Sequence, residues 1–345
     1  MTEVLEGPRL VDAVCFEPTR LDRTSPIYVA GHGGLVGSAI VRRLDREGFS
    51  NIVCRSHQQL DLTHRDSVFA FFKRIEPRYV ILAAAKVGGI VANNLYPTEF
   101  LSTNIQIQTN VLDAALACGV ERLLFLGSSC IYPRNAPQPI DEDELLNGYL
   151  EPTNDAYAIA KIAGIIHVQS ARRQYGKAWI CAMPTNLYGP GDNFSLRGSH
   201  VLPALIRRYD DAVRLGKTVV TNWGTGNPRR EFLHSDDLAD ACLYLLEHYD
   251  GPQHVNIGTG TDVSIRELAG LIATLTGFAG DTRWDESQPD GVSRKLLSVR
   301  KLNRAGWAAS IGLEQGLRST IDWYRYHRAA ARGADDRRWD SSRAR

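Results

Sequence analysis

The sequence predicts a doubly wound α/β fold built on a parallel sheet, followed by a smaller mixed α/β lobe. Three observations carry this. Short apolar runs alternate with strips of helical periodicity, a glycine turn joins the first such run to the first helix, and the rhythm changes past Pro190. Ile27 to Ala30 is the first strand; it ends in GHGGLVG, after which Ser38 to Glu47 reads as a helix up to Gly48. Asn51 to Arg55 follows as the second strand. Tyr79 to Ala85, Leu123 to Gly127 and Trp179 to Met183 are further strands, separated by helical segments as a parallel sheet demands. Asn104 to Cys118 and Ala156 to Tyr175 place Ile, Val, Leu and Ala at helical spacing between them. Beyond Pro190 the connections become rich in Gly, Pro and charge, and Ser264-Ile-Arg-Glu267 is a capping-box start for a helix running to about Thr276.

The expected division is a flexible extension over 1–25, a dinucleotide-binding domain over 26–193 to which part of about 230–260 returns, a substrate lobe over 194–328, and a flexible tail over 329–345. A chain of 345 residues is about twice the usual domain length and buries roughly three quarters of its unfolded surface. Lys and Arg total 40 against 39 for Asp and Glu, so no net field draws nucleic acid or an anionic membrane. The six cysteines include no C-x-x-C pair, and the nine histidines no zinc spacing. Reduced thiols, no metal, no membrane segment and a cytoplasmic location are the resulting expectations.

Gly31, Gly34 and Gly37 form G-x-x-G-x-x-G directly after a strand and at the head of a helix. This is the Rossmann-type position, where small residues let the backbone approach a pyrophosphate and the helix amino end faces the anion. His32, Gly33, Leu35 and Val36 complete the turn. Where an acidic residue would hold a ribose 2′-hydroxyl, the second strand instead ends in Arg55-Ser56-His57. A cation there favours a 2′-phosphate, hence NADP. Asp61 and Leu62 suit an adenine contact.

Tyr157 and Lys161 stand four apart on one helix face. A ketone accepting hydride needs a proton, and a phenol of pKa about 10 gives one efficiently when a nearby cation stabilises the phenolate. Ser128 ends an intervening strand, and Cys130 follows two residues later, on the same side if the chain there is extended. A plain reductase has no need of that thiol.

The stretches AAAKVGGIVANN (Ala83 to Asn94), LLFLGSSCIYP (Leu123 to Pro133), EPTNDAYAIAKIAGI (Glu151 to Ile165), MPTNLYGPGDNF (Met183 to Phe194) and REFLHSDD (Arg230 to Asp237) carry a resemblance. The chain is similar, over about Ile27 to Tyr324, to the extended short-chain dehydrogenases/reductases, and within them to the GDP-L-fucose synthases. That resemblance implies 3,5-epimerisation of GDP-4-keto-6-deoxy-D-mannose and NADPH-dependent reduction at C4. It implies that Ser128, Tyr157 and Lys161 are the reductase triad, and that Cys130 and His200, in GSHVLP, are the acid-base pair. Cys130 is the expected base and His200 the expected acid, with a His200 imidazolium or the electropositive cofactor pocket activating the thiol. The resemblance further places cofactor contacts on Ala84, Leu126, Gly127, Ser129, Pro184, Thr185, Asn186, Leu187 and His200, and nucleotide-sugar contacts on Arg208, Trp223, Arg230 and Lys295. It also implies a homodimer joined through a four-helix bundle.

Two departures bear on the cofactor. Gly33 stands where the family usually has Arg, and His57 lies near the position of another; both normally help hold the 2′-phosphate. The rival readings are a nucleotide-sugar 4-epimerase or 4-reductase acting on a related GDP-sugar, a 4,6-dehydratase, and a non-enzymatic NADP-binding scaffold. A dehydratase would put Asp-Glu just after the serine, where this chain has Ser129-Cys130. A scaffold would not be expected to retain both Tyr157 and Lys161.

Overall fold

The computed structural model describes residues 19–196, 198–288 and 290–331. The first part of the chain forms β1 (Ile27–Ala30), α1 (Leu35–Arg46), β2 (Ile52–Val53), α2 (Arg65–Ile75), β3 (Tyr79–Leu82), α3 (Ile90–Leu95), α4 (Pro97–Ala117), β4 (Arg122–Leu126), α5 (Asp155–Tyr175), β5 (Ala178–Pro184) and β6 (Asn186–Tyr188). There follow α6 (Val201–Arg214), β7 (Val219–Trp223), β8 (Arg229–Arg230), β9 (Phe232–His234), α7 (Ser235–His248), β10 (Val255–Ile257), β11 (Val263–Ser264), α8 (Ile265–Thr276), β12 (Asp281–Asp285), β13 (Arg294–Lys295), α9 (Arg300–Arg304) and α10 (Leu313–His327).

Six strands make one sheet in the order β10-β5-β4-β3-β1-β2, every pair parallel. β1, β3 and β4 are buried along their whole length, so their sequences read as unbroken apolar runs, as a sheet covered on both faces requires. Successive side chains still alternate between two cores. Tyr28 and Ala30 join Val111, Leu112 and Ile165 beneath α4 and α5, whereas Ile27 and Val29 join Ile40, Leu44 and Leu238 beneath α1 and α7. Each fully buried aliphatic side chain contributes about 1.5–3 kcal/mol. A third core, with Phe194, Leu202, Ile206, Tyr209, Leu268, Ile321 and Tyr324, holds the C-terminal lobe around α6, α8 and α10.

Several boundaries differ from the sequence reading. The extension expected over 1–25 ends sooner: Leu21 is buried, its N–H donates to Glu247, and Arg23 pairs with that carboxylate and lies over Phe49. Residues 1–18 lie outside the described chain. At the other end Arg328 pairs with Asp210 and Ala331 packs into the third core, so the chain is still packed at 329–331, where a tail was expected; 332–345 are outside the described residues. β2 is two residues long because it pairs only with β1, at the sheet margin. α4 begins at Pro97 rather than Asn104, with proline in the first turn where its missing N–H costs nothing. The Ser264 capping box is present: Ser264 Oγ accepts from Glu267 N at 3.1 Å, and Glu267 accepts in return from Ser264 N at 2.7 Å. Among the described residues no helix is long and apolar enough to cross a membrane.

Candidate active site

All six strands point their carboxyl ends to one edge, and the turn after β1 opens there. Gly31 has φ +85°, and a Cβ on it would lie 2.7 Å from the Ala84 backbone; a Cβ on Gly37 would lie 2.1 Å from the Gly31 carbonyl oxygen. Both positions therefore exclude any side chain. Gly34 begins α1 with no side chain capping the helix, leaving first-turn N–H groups for an anion, and His32 Nδ1 is buried without a hydrogen-bond partner. Leu35, Val36 and Gly37 supply that first turn. A dinucleotide pyrophosphate fits this cradle. Gly33 is different: nothing lies within 4 Å of a Cβ built there.

Arg55 stands just beyond β2, its Nη1 donating to the Cys54 carbonyl at 2.6 Å and its guanidinium over Phe71. His57 is 81% exposed and 3.9 Å from Asp61. Asp61 accepts from Thr63 N and Thr63 Oγ1, which lowers its pKa against the opposing effect of partial burial. Leu62 is buried in the core, and its carbonyl accepts from Asn110.

The chemistry-bearing residues converge on the ends of β4 and β5. Leu126 closes β4, and its carbonyl accepts from Lys161 Nζ at 2.8 Å. Gly127 is pressed against Met183, leaving no room for a Cβ. Ser128 heads a 3-10 turn over Ser129–Ile131, and its Oγ accepts from Cys130 N at 3.3 Å. The sequence reading put Ser128 and Cys130 on one side by extended geometry. The structure brings them together through this turn instead.

Tyr157 and Lys161 project from the first turns of α5, with Lys161 Nζ 5.8 Å from the Tyr157 ring centre. Burial raises the pKa of the Tyr157 phenol, negative charge on Cys130 raises it further, and a hydrogen bond with Ser128 opposes them. Burial lowers that of Lys161 to about 8. Buried Ser129 completes the turn, while Pro184, Thr185, Asn186 and Leu187 leave β5 beside it. Thr185 Oγ1 and Asn186 Nδ2 both donate to the Glu231 carbonyl, fixing that segment against β9.

His200, read as a loop residue, is the N-cap of α6. Its loop is tied to the segment after β3 by a hydrogen bond from Gly89 N to the Gly198 carbonyl, 3.4 Å. Phe100 lies against Gly88 and edge-on to Tyr157, 6.4 Å between ring centres. His200 is exposed as a whole residue, yet the protein packed around its imidazole disfavours the charged form and lowers its pKa. This works against an imidazolium activating Cys130. The hydrogen-bond donor that reaches the sulfur is Asn154 Nδ2, at 3.5 Å.

The four lobe residues lie on α6, β7, β8 and β13. Arg208 on α6 donates to Thr221 O and Asn222 Oδ1, Trp223 ends β7 at 55% exposure, and Arg230 on β8 pairs in register with Lys295 on β13. The neighbouring arginines are ion-paired, Arg229 with Asp262 and Arg207 with Asp211. Among the described residues, Arg208 and Arg230 have no such partner, and burial lowers the pKa of each. Arg230 lines a cleft of about 280 Å3 with Phe232, Thr259 and Val263. A larger concavity of about 490 Å3, lined by Pro133, Arg134, Asn147 and Tyr149 among others, contains none of the candidate catalytic residues.

Two side chains were missed by the sequence reading. Asn154 is one; its signal was an amide just ahead of the Tyr-Lys helix. Glu231 is the other, wholly buried and raised in pKa by that burial, its Oε1 accepting from Thr259 N and Gly260 N and its Oε2 from Leu297 N. An acid between Arg230 and an apolar pair was the sign of it.

The model of the NAD dependent epimerase/dehydratase family matches residues 27–258. Among curated relatives, GDP-L-fucose synthase 1 of Arabidopsis thaliana is 57% identical over 303 residues, covering 88% of this chain and 94% of the relative. Among solved structures, a GDP-mannoheptose C4 reductase from Campylobacter jejuni with NADP bound has a TM-score of 0.81 at 35% identity, covering 89% of this chain and all of the other. A GDP-L-fucose synthetase from Naegleria fowleri bound to NADP has a TM-score of 0.85 at 29% identity, covering 92% and 97%. The chain belongs to the NAD dependent epimerase/dehydratase family.

Proposed function

We propose that this protein converts GDP-4-keto-6-deoxy-D-mannose to GDP-L-fucose, inverting C3 and C5 and then reducing C4 with NADPH. The observation that carries the reading is a thiol, Cys130, held in the same turn as Ser128 and electrostatically coupled to Tyr157. The 57% identity to a plant GDP-L-fucose synthase supports it.

The 4-keto group acidifies the hydrogens on C3 and C5. Cys130, as thiolate, takes one such proton and leaves an enolate; His200 returns a proton to the opposite face, inverting the centre. A lowered pKa makes the His200 imidazolium the stronger acid, though scarcer at neutral pH. After both inversions Tyr157 gives its phenolic proton to the C4 oxygen, with Ser128 hydrogen-bonded to the same phenol and Lys161 stabilising the phenolate. The Gly31–Gly37 turn, Arg55, Ala84, Gly127 and Pro184 to Leu187 would hold NADPH, which would supply the hydride at C4. Arg208, Arg230 and Lys295 meet the diphosphate of the sugar nucleotide, and Trp223 offers a planar surface for stacking. These roles divide the chain into a cofactor-binding part and a substrate lobe.

The same reading assigns a homodimer formed by α4 and α5, because Ile159 and Ile166 are exposed one heptad apart on α5. Light scattering showing only a single chain at micromolar concentration would refute it. The five cysteines among the described residues are all free thiols, which supports a cytoplasmic location. The test of activity is NADPH consumption with GDP-4-keto-6-deoxy-D-mannose and identification of the product sugar. GDP-L-fucose, one per NADPH, is the expected result. A product with C3 and C5 unchanged would instead support a plain 4-reductase, the second reading favoured by the likeness to the mannoheptose C4 reductase.

A further inference from the structure

Asparagine is favoured at helix N-caps because its side-chain oxygen accepts a hydrogen bond from the first turn. Asn154 holds that position on α5 and makes no such bond. Its Nδ2 donates instead to Cys130 Sγ at 3.5 Å, across from a different element, and its Oδ1 is buried with no hydrogen-bond partner. The first-turn N–H of Ala156 is met by Asp155 Oδ1 at 2.6 Å. The amide is thus withdrawn from the local role that its position offers and directed at the sulfur.

We propose that Asn154 is a positioning residue for Cys130: its N–H fixes the sulfur toward the substrate and stabilises negative charge on it. The inference rests on Cys130 being the base of epimerisation. It supplies what His200 does not, a donor to the thiol that remains a donor at every pH. Around the sulfur stand Ser128, whose Oγ accepts from the Cys130 backbone, and Tyr157, whose phenol is made harder to ionise by charge on Cys130. An amide turned the other way would accept from S–H and hold the thiol protonated, and the two orientations predict opposite outcomes.

Two variants of the full-length protein are compared: Asn154→Ala, which decides between the two orientations, and Asn154→Asp. Aspartate is as good an N-cap as asparagine and nearly the same shape, but it removes the donor and sets a carboxylate beside the sulfur. Two rates are read. One is alkylation of Cys130 by iodoacetamide, followed on its own peptide; the other is deuterium uptake from solvent into C3 and C5 of GDP-4-keto-6-deoxy-D-mannose. Both should fall roughly ten- to a hundredfold in Asn154→Asp, the span expected for a lost hydrogen bond to a charged group, and less in Asn154→Ala. NADPH affinity should be unchanged. Unaltered or faster alkylation in Asn154→Ala, with the melting temperature retained, would overturn the proposal whatever Asn154→Asp shows. Cys130→Ser separates it from the reading beneath: if exchange survives that change, Cys130 is not the base, while the alkylation comparison still tests the contact between Asn154 and the thiol.

Discussion

The edge of the large sheet and the C-terminal lobe hold their polar side chains in opposite ways. At the edge, Lys161 is 4% exposed with its ammonium on a backbone carbonyl, and Glu231 is wholly buried with three backbone donors on its carboxylate. In the lobe, Arg208 and Arg230 have no ion pair among the described residues such as their neighbours have, and Trp223 is half open to solvent. A group that must move a proton within tenths of an ångström is fixed before the ligand arrives. A group that must meet a dianion is left short of negative charge until one does. Changes at the edge should therefore act on turnover, and changes in the lobe on affinity.

Removing the phenolic proton donor gives the largest expected effect. Tyr157→Phe should lower kcat for C4 reduction by roughly 10²–10⁴, the usual worth of a positioned general acid, with little change in KM. Single-turnover kinetics with NADPH check this. A loss appearing in KM alone would erase the distinction between the two regions.

Lys161 gives the next effect, in stability. Its pKa of about 8 in the fold lies below its ordinary 10.5, because burial disfavours the charge. Between those pH values the unfolded chain binds a proton that the folded chain does not, so this group adds stability as pH rises through the window. Below pH 8 its full cost, about 3 kcal/mol, is present. Lys161→Met should be inactive yet more stable at pH 7, with the advantage shrinking toward pH 10. Urea unfolding of both proteins at several pH values gives the difference and cancels the other titrating groups. An advantage independent of pH would mean that the ammonium is not desolvated.

In the lobe, Arg230→Ala should raise KM roughly ten- to a hundredfold with kcat nearly unchanged, as expected for a lost charge-assisted contact. Titration calorimetry with GDP should show the same loss without added NADPH. If kcat fell by a comparable factor, Arg230 would belong with the edge.

The same contrast explains what could be read from the sequence. The glycine turn and the Tyr157-Lys161 pair were legible because strand, turn and helix impose fixed local spacings, and each group lies within one element or its border. The contact between Asn154 and Cys130 was not, since it joins the cap of α5 to a turn 24 residues earlier, and nothing local requires it. Glu231 was hidden likewise: its partners lie at 259–260 and 297, brought together only when the lobe closes on the sheet. The packing of Leu21 and Arg23 escaped because their partner, Glu247, is more than 220 residues away.

The smallest expected effect lies within the glycine turn and refines the comparison to single atoms. Gly31 and Gly37 are glycine because a Cβ would overlap backbone; no such constraint acts on Gly33, whose Cβ would meet nothing within 4 Å. Gly33→Ala should therefore stabilise the fold by about 0.4–1 kcal/mol, by restricting the unfolded chain, and leave NADPH affinity intact. Gly37→Ala, forced against the Gly31 carbonyl at 2.1 Å, should destabilise by about 1–3 kcal/mol and weaken NADPH binding. Thermal melts with and without NADPH distinguish them. Because Gly33 faces open space, Gly33→Arg can be tested in the same series: a second cation near Arg55 should tighten NADPH binding relative to NADH severalfold. An unchanged ratio would mean that Gly33 does not face the 2′-phosphate, leaving Arg55 to set the preference.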